Sequence, residues 1–430
     1  MELSLVKKKI AEAIEDNKEE IIKIGRELLE IPELGYFEEK TSSYVRGVFD
    51  RLGISYEHPL ALTGVKAKVG KKTGPTIAII GELDAIKCVG HKFEGEGGAA
   101  HACGHNAQLA AMLGVAIGLK KSGILEELSG QVVFFAVPSE EFCELEARGK
   151  LKIDGKIEYF GGKQQLICDG AFDDVDMAIM VHAQPNEEKA KVFTRGYNLG
   201  FLAKNVSFYG KASHGSKPHE GTNALNAAAL ALLGVHANRE TFEEKDRIRI
   251  HPIITKGGDV VNSVPDEVLI ETYVRGATLS AIKKGNDAFE RSCQGAAQMI
   301  GAKVSWENIP GYLPIAENEE LSKAFEKNAS EIIGEENIVR GYEITGSTDM
   351  GDLSNIMPVI QPSVGGFSGN LHSKEFKVAD ENAAYVIPAL IIAQTVAELL
   401  YNDAKEANKI LDSYKALLTK DEYINYLKGE

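Results

Sequence analysis

The sequence has no surplus of positive charge. Its 430 residues include 48 lysines and arginines against 63 aspartates and glutamates, a formal net charge of −15 at pH 7. Proteins that bind nucleic acid neutralise its phosphates with a basic face, and a strongly acidic chain has no excess of cations from which to build one. We therefore expect no nucleic-acid partner.

The sequence also lacks a disulfide framework and a membrane anchor. Its five cysteines are an odd number scattered through a large chain, whereas disulfide frameworks occur in short secreted proteins with paired cysteines. The first residues contain no apolar core of signal-peptide length, and no apolar window reaches the length of a membrane span. These absences predict a cytoplasmic protein with no membrane partner.

The apolar content, 44% of the residues, is enough for the cores of two or three domains. Strand-like and helical segments alternate over residues 1–194, which is typical of a doubly wound α/β domain. Residues 195–311 instead predict the order strand, helix, strand, strand, helix, strand, and residues 312–430 return to the first pattern. The sequence therefore predicts an α/β fold, with a βαββαβ (ferredoxin-like) domain inserted into the doubly wound one.

The most informative motif is His101-Ala-Cys-Gly-His-Asn106. Cys103 and His105 are two residues apart, and Gly104 between them permits a tight turn, so both side chains can face one cation. Sulfur and imidazole together favour zinc-like ions. A Cys-x-His pair alone is often a chance occurrence, so the prediction of a metal site needs support from other segments.

That support comes from ligand-type residues that follow strand-like apolar runs. Open α/β sheets place their chemistry at the carboxyl ends of the strands. An acidic pair, a histidine and an aspartate each follow such a run, and a second histidine follows a short strand and a glycine-rich loop; these residues are Glu140 and Glu141, His182, Asp84 and His372. Four separated segments therefore predict one metal site.

A set of short motifs occurs in order along nearly the whole chain: Gly81-Glu-Leu-Asp-Ala85, Ala102-Cys-Gly-His-Asn106, Pro138-Ser-Glu-Glu141, Val181-His-Ala183, Gly210-Lys-Ala-Ser-His-Gly215, Asn262-Ser-Val-Pro-Asp266, Arg275, Gly346-Ser-Thr-Asp349 and Leu371-His-Ser373. As a set they resemble the dinuclear-metal aminoacylase and carboxypeptidase superfamily. The resemblance is to its amidohydrolase branch, which includes indoleacetyl-amino-acid, hippurate and aminobenzoyl-glutamate hydrolases. It implies a metallopeptidase-type catalytic domain over 1–194 and 312–430, and a dimerisation or lid domain over 195–311.

The resemblance implies two divalent metal ions, zinc or manganese, and five residues that bind them. Cys103 would be shared between the ions. Glu141 and His372 would complete one site, and His105 and His182 the other. Two adjacent cations of this kind give a bridging water the character of a hydroxide near neutral pH.

The resemblance also implies catalytic and substrate-binding residues. Glu140 would be the general base, since side chains alternate along an extended segment and Glu140 can face the water while Glu141 faces metal. His214 of the inserted domain would reach the neighbouring subunit's site and polarise the scissile carbonyl. Asn262 and Arg275 suit a substrate carboxylate, because a guanidinium binds it in two places.

Structural alternatives stay open for several of these residues. Asp84 either orients a ligand or acts as a cap. Glu140 could be an exposed partner of Glu141, His182 a hydrogen-bonded core histidine, and His214 a loop cap. The chain departs from the pattern of the branch at Asn106 and Gln108, where Asp and His are usual, and at 142–160, a charged, irregular stretch in place of a short glycine run.

The sequence thus predicts a cytosolic dinuclear metallohydrolase that cleaves the amide bond of an N-acyl or N-aroyl amino acid, such as an aminobenzoyl-glutamate-like compound. The expected partners are a small-molecule substrate and a second copy of the chain, bound through the inserted domain. A dipeptidase of the same superfamily is one alternative. The other is an inactive relative that serves as a binding or scaffold protein.

Overall fold

The computed structural model describes residues 1–186, 190–342 and 346–429. Its helices, in chain order, are α1 (Leu3–Asp16), α2 (Lys18–Leu29), α3 (Glu39–Leu52), α4 (His105–Lys121), α5 (Leu145–Ile153), α6 (Gly162–Cys168), α7 (Ala224–Asn238), α8 (Leu279–Ile300), α9 (Glu319–Ile333), α10 (Met350–Ser354), α11 (Ile387–Ser413) and α12 (Lys420–Lys428). Its strands are β1 (Tyr56–Leu60), β2 (Gly64–Gly70), β3 (Thr76–Glu82), β4 (Ile86–Lys87), β5 (Ala99–Ala100), β6 (Gln131–Val137), β7 (Met177–Ile179), β8 (His182–Pro185), β9 (Val192–Thr194), β10 (Gly200–Tyr209), β11 (Arg249–Ile250), β12 (Ile253–Lys256), β13 (Glu267–Gly276), β14 (Lys303–Pro310), β15 (Ile338–Arg340), β16 (Val359–Ile360), β17 (Ser363–Ser368) and β18 (Lys377–Val378).

The chain forms two compact units, each built from separate segments. The first unit comprises Met1–Gly196, Ala316–Glu343 and Asp352–Lys420. The second comprises Tyr197–Ile315, Ile344–Gly351 and Asp421–Glu430. The second unit thus takes in two short segments that the sequence did not assign to the inserted domain.

The first unit is built on a six-stranded sheet in the order β1-β2-β6-β3-β7-β16. The strands β6, β3, β7 and β16 run parallel to one another, and β2 is antiparallel to β6. All of β3 is buried, as expected for a parallel strand covered by helices on both faces. Helix α4 packs on β3 and against α1, α2 and α11. The predicted α/β fold class is confirmed.

The order of the central strands determines where the site lies. Strands β6, β3 and β7 are neighbours and parallel, so their carboxyl ends share one edge of the sheet. The residues that follow these ends are the pair Glu140 and Glu141, Asp84 and His182. The sheet therefore gathers three separated segments at one edge.

The second unit has an antiparallel sheet in the order β11-β13-β10-β14, with β12 also paired to β13. Along the chain its elements follow the predicted βαββαβ order, and α7 and α8 pack against each other and on the sheet. The third element of that order, predicted as one strand, is instead two short strands, β11 and β12. Pro252 lies between them, and proline has no N–H to donate to the ladder.

Two further expectations are corrected. The stretch Asn382–Ser413 contains an 18-residue window with a mean hydropathy of 1.8, so the expectation that no window reaches the length of a membrane span is wrong. Of that window, 83% is buried inside the protein, where α11 packs against α1, α4 and α9. The stretch 142–160 is not irregular throughout, because it contains α5.

Candidate dinuclear metal centre

The Cys-Gly-His turn lies directly before α4. Gly104 precedes the helix with a left-handed φ of 85°, and a Cβ at this position would lie 2.5 Å from the Cβ of Ala183. Only glycine fits this turn. The turn places Cys103 just outside the helix and His105 at its first residue, and both are buried.

The structure brings the five predicted metal ligands together. The Sγ of Cys103 lies 3.4 Å from the Nε2 of His182 and 3.3 Å from the Nε2 of His372. The Nε2 of His372 lies 3.3 Å from the Oε1 of Glu141. The donor atoms of Cys103, His105 and His182 form one group within 4.8 Å, and those of Cys103, Glu141 and His372 form another. Cys103 is common to both groups.

The donor set fits divalent cations. The Nε2 of His105 and the Oε1 of Glu141 are buried and make no well-aligned hydrogen bond among the residues that the structure describes. Their near polar neighbours, Glu82 and His372, belong to the same cluster. Unsatisfied buried polar atoms destabilise a protein, and a cation that takes their lone pairs removes that cost. His372 has a left-handed φ of 61°, which is uncommon outside glycine and occurs at functional sites.

Asp84 fixes the orientation of two of these ligands. Its backbone carbonyl lies 2.9 Å from the Nδ1 of His105, and its Oδ1 lies 3.3 Å from the same nitrogen. Its Oδ2 accepts a hydrogen bond of 2.9 Å from the backbone N–H of Glu141. With Nδ1 engaged by Asp84, the Nε2 of His105 is the nitrogen left for a cation.

The pKa values around the cluster are far from their ordinary range. Burial alone would lower the pKa of His105, but the carboxylates of Glu82 and Asp84 outweigh it and raise that pKa to about 10. Burial and the carboxylate of Glu141 raise the pKa of the Cys103 thiol. Without a cation, both side chains hold protons at neutral pH and must release them before they can act as ligands.

A buried ion pair that the sequence did not predict borders the cluster. Lys163 and Glu82 are both fully buried, with the Nζ 2.6 Å from the Oε1. The Nε2 of Gln108 donates to the Oε2 of Glu82 at 2.9 Å, and that Oε2 lies 3.1 Å from the Nε2 of His105. Glu82 belongs to one of the quoted motifs, but Lys163 follows two glycines with no local pattern that signals a buried charge.

The two members of the acidic pair face different donors. Glu140 is only 7% exposed, and its Oε2 lies 3.9 Å from the Nε2 of His105. Its donor group includes Glu82 and His105, whereas Glu141 groups with His372. The two carboxylates therefore face different members of the cluster.

The second unit contains the other predicted site residues. His214 and Asn262 are exposed, and the backbone N–H of Gly215 donates to the carbonyl of Asn262 at 2.7 Å, so their loops are adjacent. The Nδ1 of His214 lies 2.7 Å from the Oγ of Ser216. The structure therefore brings the loops of His214 and Asn262 together through this backbone hydrogen bond.

Arg275 is half-buried in the same unit and is held in a fixed position. Its Nη1 donates to the Oγ of Ser347 at 2.6 Å. Its guanidinium carbon lies 5.3 Å from the ring centre of Phe201 and 5.5 Å from that of Tyr273. Burial lowers the pKa of Arg275, and no carboxylate in the described part of the chain pairs with it. The arrangement suits a carboxylate from outside the chain.

The first unit gathers thiol, imidazole and carboxylate donors near the carboxyl ends of its parallel strands. This is the architecture of a metal-dependent hydrolase. The chain belongs to peptidase family M20/M25/M40, whose family model matches residues 78–396. It is therefore a metallohydrolase that acts on amide or peptide bonds. The family predicted from the motifs is confirmed.

Known relatives match the chain over most of their length. The chain is 28% identical to the Xaa-Arg dipeptidase of Mus musculus over 99% of this chain and 95% of the relative. It is 26% identical to the IAA-amino acid hydrolase ILR1-like 4 of Arabidopsis thaliana over 90% of this chain and 88% of the relative. The crystal structure of the Bacillus subtilis YXEP protein, described as a dinuclear metal binding peptidase, has a TM-score of 0.72 and 22% identity, and the match covers 89% of this chain and 98% of that one. This last likeness shows a shared fold.

Proposed function

We propose that this hydrolase cleaves the amide bond between an acyl or aroyl group and an amino acid that carries a free α-carboxylate. The observation that carries the substrate class is the guanidinium of Arg275. Ser347 holds it beside two aromatic rings, and it has no carboxylate partner in the described residues. A fixed, partly desolvated guanidinium binds a carboxylate strongly and in two places. Asn262 would add a polar contact to the same group.

We infer that two divalent ions occupy the cluster, with Cys103 shared, Glu141 and His372 on one side, and His105 and His182 on the other. The ions would supply Lewis-acid polarisation of the substrate carbonyl and would acidify a water. Zinc and manganese are the candidate metals, and the thiol among the donors supports zinc.

Glu140 is placed to move the proton that the reaction requires. Its carboxylate is nearly buried and lies beside the donors rather than within the group that contains Glu141. It would accept a proton from the attacking water and donate it to the leaving nitrogen. In this way the products leave as a carboxylate and an amine.

The second unit would serve as the dimerisation domain, and its His214 would polarise the scissile carbonyl in the partner's site. An exposed sheet edge supports self-association. Strand β12 lies beside β13 at the edge of the sheet, with Ile253 60% and Ile254 39% exposed, and an apolar edge strand is a template for pairing with another chain. The five free cysteines suit the reducing cytoplasm, where we propose that the enzyme acts.

A dipeptidase is the second candidate, because one relative is named a Xaa-Arg dipeptidase. Both candidates need the free carboxylate at the leaving amino acid. They differ in the other half of the substrate, which carries a charged amine in a dipeptide and an uncharged acyl or aroyl group otherwise. The aminobenzoyl-glutamate-like substrates belong to the second kind.

The test combines elemental analysis of the purified protein with a mass-spectrometric screen of acyl amino acids, aroyl amino acids and dipeptides. Each substrate is paired with its C-terminal carboxamide. We expect two equivalents of metal, and hydrolysis of acyl or aroyl amino acids with a KM well below that for their carboxamides. Turnover of dipeptides alone would favour the dipeptidase, and full metal content without any turnover would favour the inactive relative.

A further inference from the structure

The stretch between the acidic pair and α6 is a closed excursion from the sheet edge. The backbone N–H of Gly162 donates to the carbonyl of Ser139 at 2.9 Å, so the chain leaves and returns at one point. A Cβ at Gly162 would lie 1.7 Å from the carbonyl oxygen of Pro138, which leaves room only for glycine. The excursion therefore begins with the acidic pair and ends beside the strand that carries it.

One buried side chain ties the two ends of this excursion together. Arg148 of α5 is 0% exposed. Its Nη2 donates to the carbonyl of Glu141 at 2.5 Å, and its Nη1 donates to the carbonyl of Phe160 at 2.9 Å. The planar guanidinium is suited to such a two-point contact. Arg148 thus reaches back seven residues to hold the backbone of a candidate metal ligand.

The guanidinium is itself held by a small core. Its central carbon lies 5.7 Å from the ring centre of Tyr36, whose hydroxyl donates to the carbonyl of Tyr159 at 2.8 Å. Tyr36 packs with Leu151 and Ile157. Burying an ionised guanidinium is costly, and an apolar side chain could not donate to the two carbonyls that Arg148 holds. Arg148 therefore has a role that depends on its hydrogen-bond donors.

That role follows from how Glu141 is held. Its carboxylate Oε1 faces another candidate ligand, the Nε2 of His372, at 3.3 Å, and outside the donor cluster the position of Glu141 is set by its backbone. Asp84 holds the N–H of Glu141 at 2.9 Å, and Arg148 holds its carbonyl. The peptide groups on both sides of Glu141 are fixed, and with them the divergent directions of Glu140 and Glu141.

We propose that Arg148 is a positioning residue that fixes the acidic pair for metal binding and proton transfer. The inference rests on the proposed function of Glu140 and Glu141. The stretch 142–160 then supports the metal site, and α5 is the element that carries the supporting residue.

The test compares Arg148→Met and Arg148→Lys with the control Lys150→Met. Lys150 lies on the same helix, and its side chain is 71% exposed and paired with Glu146. Four quantities are measured: the affinity of the metal-free protein for Co²⁺ by chelator competition, the visible spectrum of the Co²⁺-loaded protein, kcat and KM. The melting temperature of the metal-free protein shows whether each variant folds.

Arg148→Met should bind Co²⁺ about 10–100-fold more weakly, the usual loss when a partner that orients a metal ligand is removed. Its Co²⁺ spectrum should shift, and kcat should fall while KM changes little. Arg148→Lys should recover part of the affinity, since an ammonium can still donate to the Glu141 carbonyl. Lys150→Met should match the wild type in all measurements.

Wild-type Co²⁺ affinity and spectrum in a folded Arg148→Met protein would overturn the inference, even with a lower melting temperature. If Arg148→Met does not fold, the affinity of Arg148→Lys decides in the same way. A wild type that binds Co²⁺ but hydrolyses no substrate would contradict the proposed substrates. The Co²⁺ affinities of the wild type and Arg148→Met would then still decide whether Arg148 positions the acidic pair. A wild type that binds no Co²⁺ would overturn the metal roles and the inference together.

Discussion

The donor cluster of the first unit and two candidate site residues of the second unit, His214 and Asn262, are held in different ways. Cys103 and His105 are 6% and 0% exposed, and their partners come from segments distant in the chain. His214 and Asn262 are exposed. A backbone hydrogen bond joins their two loops, and the ring of His214 contacts the nearby Ser216. The donors of the first unit are mostly buried, although His372 is exposed, whereas both residues of the second unit lie on exposed loops.

This difference separates what substitutions should do in the two units. A change at one of the five candidate ligands removes a group that several others depend on, so metal content, stability and turnover should change together there. A change at His214 or Asn262 should leave metal content and stability near their wild-type values. The following substitutions test this contrast.

The largest effect is expected for Glu140→Gln in the first unit. Glutamine keeps the shape of the side chain but cannot accept the proton of the attacking water, so kcat should fall by about 10²–10⁴-fold. Metal content and melting temperature should stay at wild-type values. The control is Glu146→Gln, which changes a side chain that is 90% exposed. Near-normal turnover in Glu140→Gln would remove its role as the base.

Cys103→Ala should follow, because Cys103 belongs to both donor groups. Elemental analysis should show metal lost from both positions rather than from one. Cys168→Ala, which changes a free cysteine outside the cluster, should keep full metal content. Two equivalents of metal in Cys103→Ala would contradict a shared thiolate.

The sequence predicted the donor cluster because each donor either follows a strand-like run or belongs to a segment that contains a glycine turn. Strand order then decides which ends become neighbours, and the family resemblance supplied the pairing of the ligands around Cys103. The five donors lie together in the structure, although their roles as ligands stay a prediction. The order of strand-like and helical segments along the chain predicted the α/β fold with its βαββαβ segment, and this fold is confirmed.

The sequence does not predict that Arg148 and Lys163 are buried. Charged residues ordinarily predict a solvated face, and nothing local shows that these two are buried. Lys163 pairs with Glu82, 81 residues away, and Arg148 contacts backbone carbonyls, which have no sequence signature. The charges around α5 also obscured its helical periodicity, so the stretch was interpreted as irregular.

Arg275→Ala tests the second unit. Loss of a charge-assisted contact should raise KM by about 10–100-fold for substrates with a free α-carboxylate. Carboxamide analogues should be affected far less, and metal content should not change. Arg291→Ala, which removes an exposed arginine of α8, is the control. Equal losses for carboxylate and carboxamide substrates would count against carboxylate recognition.

The smallest effect concerns a buried carboxyl beside the first unit's site. Burial and the nearby Asp84 carboxylate raise the pKa of Glu38 to about 8, against an unfolded value of about 4.5. Between these values the folded protein holds a proton that the unfolded chain has released, so this group's contribution to stability falls as the pH rises.

Glu38→Gln has no such proton, and a glutamine oxygen can still accept the hydrogen bond that Ser139 donates from its backbone N–H at 2.8 Å. The melting temperature of the variant relative to wild type should therefore rise by a few degrees between pH 5 and pH 8. Glu220→Gln, at an exposed position of the second unit, should show no such trend. A constant difference for Glu38→Gln across this range would mean that Glu38 is ionised in the folded protein, and that the buried and exposed carboxyls of the two units do not differ in this respect.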